Sequence, residues 1–564
     1  MNPFTDNSIL KKGWKLFSSG KYRETLAFVE KKINDGKSSP HTSFLKGMAL
    51  SKLDSIESAL PFIEYARKRS PSSKIYIQAY ANMLEDSGRM RKALPEYLAL
   101  TDLCPTQKDG YTGVAKCFLS WGSYKKAVDV LEQGIEKGVP LKELVPMLFK
   151  ASYEFRDPER IELYSEKLTE LFPDNPDVLS SIGDTHKSMG NLEKAAELYR
   201  KAICVSPDYL SGYYFLTAVL NGKELYSYAP MLEEKLLHTG LKDLEKLRVN
   251  FALGKIYNDT GDYEKAFRHF SAGNSIRAMS NTGGFNYSNY YKYETVFKDL
   301  FDKDFFDSLP SSSGEDKSPI FIVGLMRSGT TLLEQIITGT SDVKAGGEMP
   351  FMQNSGERLI YLAGESLERI PVTLRIEENR KKLAFSYMSS VREILGWDGR
   401  FTDKLPSNIL FIWLIRAILP DAKVINCRRN AADVAFSCFS MNFEKPHEYS
   451  NSLQELGKTH NFYKRLSDHW RKSLPEDFYT ELQYEDLVRK PEQTLKTLTE
   501  FCGIQWKDDL LSFTKSGNLV KTASGAQVRD KLHCGSIGKW KKYEKFMTPF
   551  INEVGEEEAN RHIS

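Results

Sequence analysis

"FIVGLMRSGTTLLEQI", Phe321 to Ile336, opens as a short apolar run, passes Gly324 and Gly329, and then takes on the spacing of a helix. Joined to the two residues before it, "PIFIVG" reads as a buried parallel strand, β-branched and aromatic without polar alternation and bounded by Pro319 and Gly324. A strand, a glycine loop and a helix start, in that order, aim several backbone N–H groups at one point, where the helix dipole also favours negative charge. The stretch therefore predicts an anion site. Gly324 and Gly329 permit close backbone approach, Ser328, Thr330 and Thr331 add hydroxyl donors, and Arg327 adds positive charge. The plainer reading is a glycine turn that only starts a helix.

Downstream, "AKVINCR" and "FYTELQYEDL" repeat the strand pattern, the former reached from the helical segment "NILFIWLIRAILP". Strands alternating with helices predict a three-layer α/β domain with a mostly parallel sheet. Upstream, "LPSSSGEDKSP" has the composition of a linker, and the aromatic-rich segment before it reads as irregular chain and helix.

The first half is organised differently. Pro71, Pro105, Pro140, Pro173 and Pro207 recur at intervals of 33 to 35 residues, and Gly20, Gly88, Gly122, Gly190 and Gly261 fall close to one or two such periods apart. The glycines head similar phrases, among them "GSYKKAVDVL", "GNLEKAAELY" and "GDYEKAFRHF". Each glycine turns the chain between two helices, the aromatic and alanine that follow pack them together, and the proline closes the unit. In period and residue type this resembles the tetratricopeptide repeat family, giving about seven or eight helical hairpins over residues 8–280, with Asp54 and Arg156 where the turn glycine is expected. Such hairpins stack into a superhelix with a groove suited to an extended peptide. The alternatives for the array are a spacer or a dimerisation arm, the latter making a homodimer.

Composition bounds the function. With 78 Lys and Arg against 75 Asp and Glu, the net charge of +3 gives the whole protein no general attraction to nucleic acid or to a membrane. Seven scattered cysteines without C-x-x-C spacing suit a reducing compartment, and no metal-ligand cluster is visible. "MNPFTDNSILKKGWKLF" lacks the apolar stretch of a signal peptide, and "ILFIWLIRAILP" is too short to span a bilayer. A cytoplasmic location is expected.

A nucleotide phosphate loop, G-x-x-x-x-G-K-[S/T], would place lysine where Thr330 stands, and that absence argues against ATP or GTP. "RSGTTLLEQI" after "FIVG" instead resembles the 5′-phosphosulfate loop of sulfotransferases, above all the protein-tyrosine sulfotransferases. "INCRRNAADVAFS" is similar to that family's 3′-phosphate motif, with Arg429 from a strand and Ser437 read as both helix cap and ligand. The resemblance implies 3′-phosphoadenosine 5′-phosphosulfate (PAPS) as donor, whose two anionic ends require two cradles, and no metal. Residue by residue it implies that Glu348 of "AGGEMP" is the catalytic base. Lys404 of "TDKLPSN", Arg327 and Ser524 of "SGAQV" would support the transferring group. Ser328, Gly329, Thr330, Thr331, Tyr484 of "LQYEDLV" and Lys539 of "GKW" would join Arg327, Arg429 and Ser437 in holding the donor. The family pattern often has a proline after the basic residue of "RDKLH", which leaves Arg529 without an assigned role.

Taken singly, Lys404 and Lys539 read as surface lysines, Tyr484 as sheet packing, and His447, His460, His469 and His533 as rival bases. The expected architecture is α plus α/β: a TPR-like α-solenoid over 8–280, a bridge over 281–317, a P-loop-like sulfotransferase domain over 318–545 and a tail over 546–564. The expected acceptor is a tyrosine hydroxyl of a peptide or protein held by the repeats, with a small-molecule or glycan hydroxyl as the alternative. A phosphotransferase with a degenerate loop and a non-enzymatic repeat scaffold are the other classes.

Overall fold

The computed structural model describes residues 8–280, 287–309, 319–339, 342–443, 447–507, 510 and 534–563, with side chains from residue 11 onward except at 280 and 287–293. The chain forms two compact units, Met1–Leu171 and Phe172–Ser564.

The first unit is five helical hairpins, running from Ser8–Ser18 with Tyr22–Asn34 to Leu141–Phe155 with Pro158–Leu171. Its core is built from the apolar stripes of successive helices, including Phe44, Ile63, Tyr76, Leu84, Tyr97 and Leu100, all at least 95% buried. The five repeat glycines of the chain all adopt left-handed backbone, with φ between 72° and 91°, which a residue with a Cβ adopts only at a cost. Arg156 takes the same conformation at φ 60°, so the missing glycine changes the residue and not the turn, whereas Asp54 ends its helix at φ −133°.

The second unit begins with three further hairpins. One is irregular, with Leu210–Thr217 followed by a short 3-10 turn and Ala229–Leu236; the last pairs Asp243–Thr260 with Tyr263–Ser280. Helices Tyr287–Leu300 and Lys303–Asp307 then pack on the α/β domain, where Phe301 stacks on Trp413 at 4.6 Å and Arg465 forms an ion pair with Glu294 at 2.7 Å.

Five parallel strands follow: β1 (Pro319–Gly324), β2 (Lys344–Ala345), β3 (Phe401–Asp403), β4 (Lys423–Arg428) and β5 (Tyr479–Gln483), in the order β2-β3-β1-β4-β5. In register, Phe321 faces Asp403 and Gly324 faces Cys427. All six residues of β1 are buried, because helices cover both faces. Ile320, Ile322, Ile425 and Cys427 pack with the loop helix Thr330–Thr338 and with Pro491–Cys502. On the opposite face Phe321 meets Tyr387 and Asn426 donates to Ser467 of the long helix Leu453–Ser473. This is the three-layer sheet expected from the alternation, with β2 and β3 added to the three strands read from sequence. Helices Thr548–Val554 and Glu556–Asn560 dock on Leu453–Ser473, where Lys464 and His460 both reach Glu558. Among the described residues no helix is long and apolar enough to cross a membrane.

Candidate active site

The loop after β1 is closed by left-handed backbone at three positions: Gly324 (φ 147°), Arg327 (φ 67°) and Gly329 (φ 102°). A Cβ on Gly324 would stand 2.5 Å from the Cys427 carbonyl of β4, and one on Gly329 would stand 2.7 Å from the Tyr484 ring. Both glycines are required by close approach. Gly329 leads directly into the loop helix without a side-chain cap, so the first N–H groups of that helix have no capping side chain. Ser328 beside them is 2% exposed, and its buried hydroxyl has no hydrogen-bond partner among the described residues. A backbone nest with an unused buried donor fits a phosphate-sized anion.

The second cradle adjoins the first. After β4 the helix Ala431–Phe439 is capped by Asn430, whose Oδ1 accepts from the Asp433 N–H. Ser437 therefore sits well inside this cradle helix, and the cap role expected for it belongs to Asn430. Instead, the Ser437 hydroxyl accepts from Arg327 Nε at 2.8 Å, bridging the loop and the cradle helix. Arg429 donates to the Arg327 carbonyl at 3.2 Å and the Ser536 carbonyl at 2.6 Å, and lies 4.6 Å above the Tyr484 ring. Its Nε is buried without a partner among the described residues. Tyr484 thus touches both cradles. Burial holds Arg327 below its ordinary pKa, and the like charge of Arg429 acts in the same direction. Lys539, although exposed, is likewise lowered, by partial desolvation and then by the like charges of Arg429, Lys255 and Lys542. An anion arriving here would relieve that repulsion. Asp433 holds the Lys539 segment in place, accepting from the Gly538 and Trp540 N–H groups at 2.7 and 3.1 Å.

Glu348 and Lys404 form a second group. Lys404 Nζ is fully buried and donates to Glu348 Oε1 at 2.8 Å, while the Glu348 side chain is 39% exposed. The pair is anchored from behind by carboxylates that sequence reasoning did not single out. Glu334 of the loop helix, buried, accepts from the Gly347 N–H and the Thr402 hydroxyl, each at 2.8 Å. The loop helix therefore also fixes the turn that carries Glu348. Asp403, next to Lys404, accepts from Tyr387 and Asn408; burial pushes its carboxyl up to about 8 against those hydrogen bonds and the nearby lysine.

The sequence-predicted residues Arg327, Ser328, Gly329, Arg429, Ser437, Tyr484 and Lys539 come together, and Thr330 and Thr331 are buried in the first turn of the loop helix. Ser524, Arg529 and His533 lie outside the described residues. Of the rival bases, His460 contacts Glu558 at 3.1 Å and His469 contacts the Phe301 carbonyl at 2.9 Å.

A parallel sheet with a lysine-free glycine loop after β1 and a basic turn after β4 beside it defines the α/β domain. Residues 319–508 match the sulfotransferase family, and residues 176–209 and 247–277 match the tetratricopeptide repeat. The chain joins tetratricopeptide repeats to a sulfotransferase-family domain. It is 31% identical over 401 residues to an uncharacterised protein of Aquifex aeolicus, covering 69% of this chain and 51% of that one. It is 23% identical over 235 residues to the protein-tyrosine sulfotransferase of Drosophila melanogaster, covering 39% of this chain and 46% of the fly protein. The chain thus spans about half the length of these two relatives. The sulfotransferase domain of the Synechococcus PCC 7002 olefin synthase is a structural neighbour at 17% identity, covering 43% of this chain and 98% of that domain with a TM-score of 0.30.

Proposed function

We propose that this protein transfers a sulfuryl group from PAPS to an acceptor hydroxyl, and that the acceptor is a tyrosine of a peptide or protein. The observation that carries the reading is the Arg327–Ser437 hydrogen bond, which fuses a lysine-free phosphate loop with a second basic cradle. A triphosphate would need one such cradle, whereas PAPS carries an anion at each end. Bound there, PAPS supplies an activated sulfuryl group whose departure leaves 3′,5′-adenosine bisphosphate.

The chain's own groups divide the work. The β1 loop, with Ser328 and Arg327, holds the 5′ end; Arg429, Ser437 and Lys539 hold the 3′-phosphate. Tyr484 lies at the adenine side. Glu348, exposed enough to meet an acceptor, takes the hydroxyl proton as the new oxygen–sulfur bond forms and the bond from sulfur to the leaving phosphate oxygen breaks. Lys404, aimed by Glu348 and held from behind by its buried neighbours, supports the charge that develops, together with Arg327 and Ser524. The repeat groove presents the acceptor peptide.

Calorimetry on the full chain tests the donor: 3′,5′-adenosine bisphosphate should bind and ATP should not. The reverse result would indicate a phosphotransferase, and binding of neither would favour a scaffold. Glu348→Gln should leave bisphosphate binding intact and lower turnover by roughly 10²- to 10⁴-fold, the range of a general base. Full turnover in that variant, with activity lost in His460→Ala, would move the base to the histidine. For the acceptor, full-length protein, radiolabelled PAPS and a host lysate should label protein at tyrosine. Label confined to small molecules or glycans would overturn the acceptor assignment.

A further inference from the structure

The last helical hairpin is not a simple continuation of the repeats. Its second helix, Tyr263–Ser280, lies on the cradle helix that carries Ser437. Phe267 stacks on Phe546 at 4.2 Å and on Phe439 at 5.5 Å, and Phe270 meets Phe436 edge-on at 6.4 Å. Phe436 in turn stacks on Tyr543 at 3.9 Å, whose hydroxyl donates to Asn258 of the same hairpin at 2.7 Å. Phe436 and Phe439 flank Ser437 along the helix, so one side of the helix faces the hairpin and Ser437 faces Arg327.

The polar contacts are more specific. The last carbonyls of a helix have no partner within it. Here Asn274 Nδ2, wholly buried, donates to the Phe439 carbonyl at 2.8 Å, and Arg277 Nη2 donates to the Met441 carbonyl at 3.1 Å while also holding Asn274 Oδ1. Two repeats earlier, 71 positions back and beyond the irregular hairpin, Ala196 stands where Phe267 does, Ile203 where Asn274 does and Ser206 where Arg277 does. The side chains that grip the cradle helix are therefore departures from the repeat pattern.

We propose that Asn274 and Arg277 are positioning residues for the donor site: by taking the last carbonyl of the cradle helix, at Phe439, and the Met441 carbonyl just past its end, they fix Ser437 against Arg327 and couple the last hairpin to donor binding. The inference rests on the reading of the cradles as the donor site. Coupling is reciprocal, so bound donor product must also steady the hairpin.

The test uses the full chain and 3′,5′-adenosine bisphosphate. Asn274→Leu keeps the volume and removes the donor group. It should weaken binding by roughly 5- to 20-fold, within the range of such couplings, while circular dichroism and the melting temperature show a folded chain. Arg277→Met should act the same way, and Arg277→Lys, which retains a donor, should recover most of the affinity. Hydrogen exchange supplies a readout that a purely structural role would not move: bisphosphate should slow exchange in Tyr263–Ser280 of the wild type, and Asn274→Leu should abolish that protection. If Asn274→Leu does not fold, the two Arg277 variants decide. Wild-type binding with unchanged affinity in the variants and no protection of the hairpin overturns this inference and leaves the donor reading standing. No wild-type binding overturns both.

Discussion

β1 and β4 lie side by side and each runs into a turn and a helix, yet the two turns are built by opposite means. The β1 turn is made of backbone, with left-handed conformations at Gly324, Arg327 and Gly329. The β4 turn has no left-handed residue among those described and is made of side chains. Arg429 reaches the Arg327 and Ser536 carbonyls, and Asn430 N donates to Glu485 while Asn430 Nδ2 holds the carbonyls of Ala559 and Arg561. A backbone cradle is complete within a few residues of sequence. A side-chain cradle depends on partners contributed from far along the chain, and so is sensitive to the packing of the whole unit.

The strongest way to break the first cradle is Gly324→Ala. The new methyl group would meet the β4 backbone and force a φ that residues with a Cβ avoid. A loss of about 3 kcal/mol or more in urea unfolding of the full chain is expected, since neither β1 nor β4 can move without breaking the sheet. An unchanged midpoint would show that this close approach is not needed.

The second cradle should break differently. Arg429→Ala removes charged hydrogen bonds and a ring contact without straining backbone. It should weaken 3′,5′-adenosine bisphosphate binding by about 10- to 100-fold, corresponding to about 1.5–3 kcal/mol for hydrogen bonds to charged groups. Calorimetry at two salt concentrations checks this, because losing a phosphate contact should also flatten the salt dependence. Equal affinity would remove Arg429 from the donor site.

The smallest effect sharpens the comparison from the other neighbour of β1. Asp403, in β3, titrates at about 8 in the folded protein, above its unfolded value near 3.8. Such a carboxyl contributes most to stability below the unfolded value, and that contribution is lost as pH rises from about 4 through about 8. Wild type should therefore lose about 1 kcal/mol relative to Asp403→Asn between pH 5 and pH 6, read as diverging urea midpoints. Parallel midpoints would mean that Tyr387, Asn408 and Lys404 keep Asp403 ionised throughout.

What could be read from sequence follows the same division. The β1 cradle was legible because glycines five positions apart on either side of an arginine are a local signal, and the repeats were legible because their turn glycines need left-handed backbone. β2 and β3 escaped because two and three residues carry no periodicity. The cap reading of Ser437 places a helix start there, whereas the N-x-x-D pattern of Asn430 and Asp433 is the available signal for the true cap seven residues earlier. Glu334 looked like an ordinary helix residue, and only folding brings Gly347 and Thr402 to it. The grip of Asn274 and Arg277 on the cradle helix had no local trace beyond their mismatch with the repeat 71 positions earlier.

The contact between Gly329 and Tyr484 also restricts how sequences of this kind can drift. With 2.7 Å between the ring and the place a Cβ would occupy, position 329 cannot take a side chain while the Tyr484 ring stays as it is. Among distant relatives, a side chain larger than hydrogen at 329 should occur only together with a smaller residue at 484 and a loop that has left the positive φ of Gly329, and such pairs would have exchanged the ring beneath Arg429 for room in the loop. Two sites 155 positions apart should thus record a single event in the history of the fold.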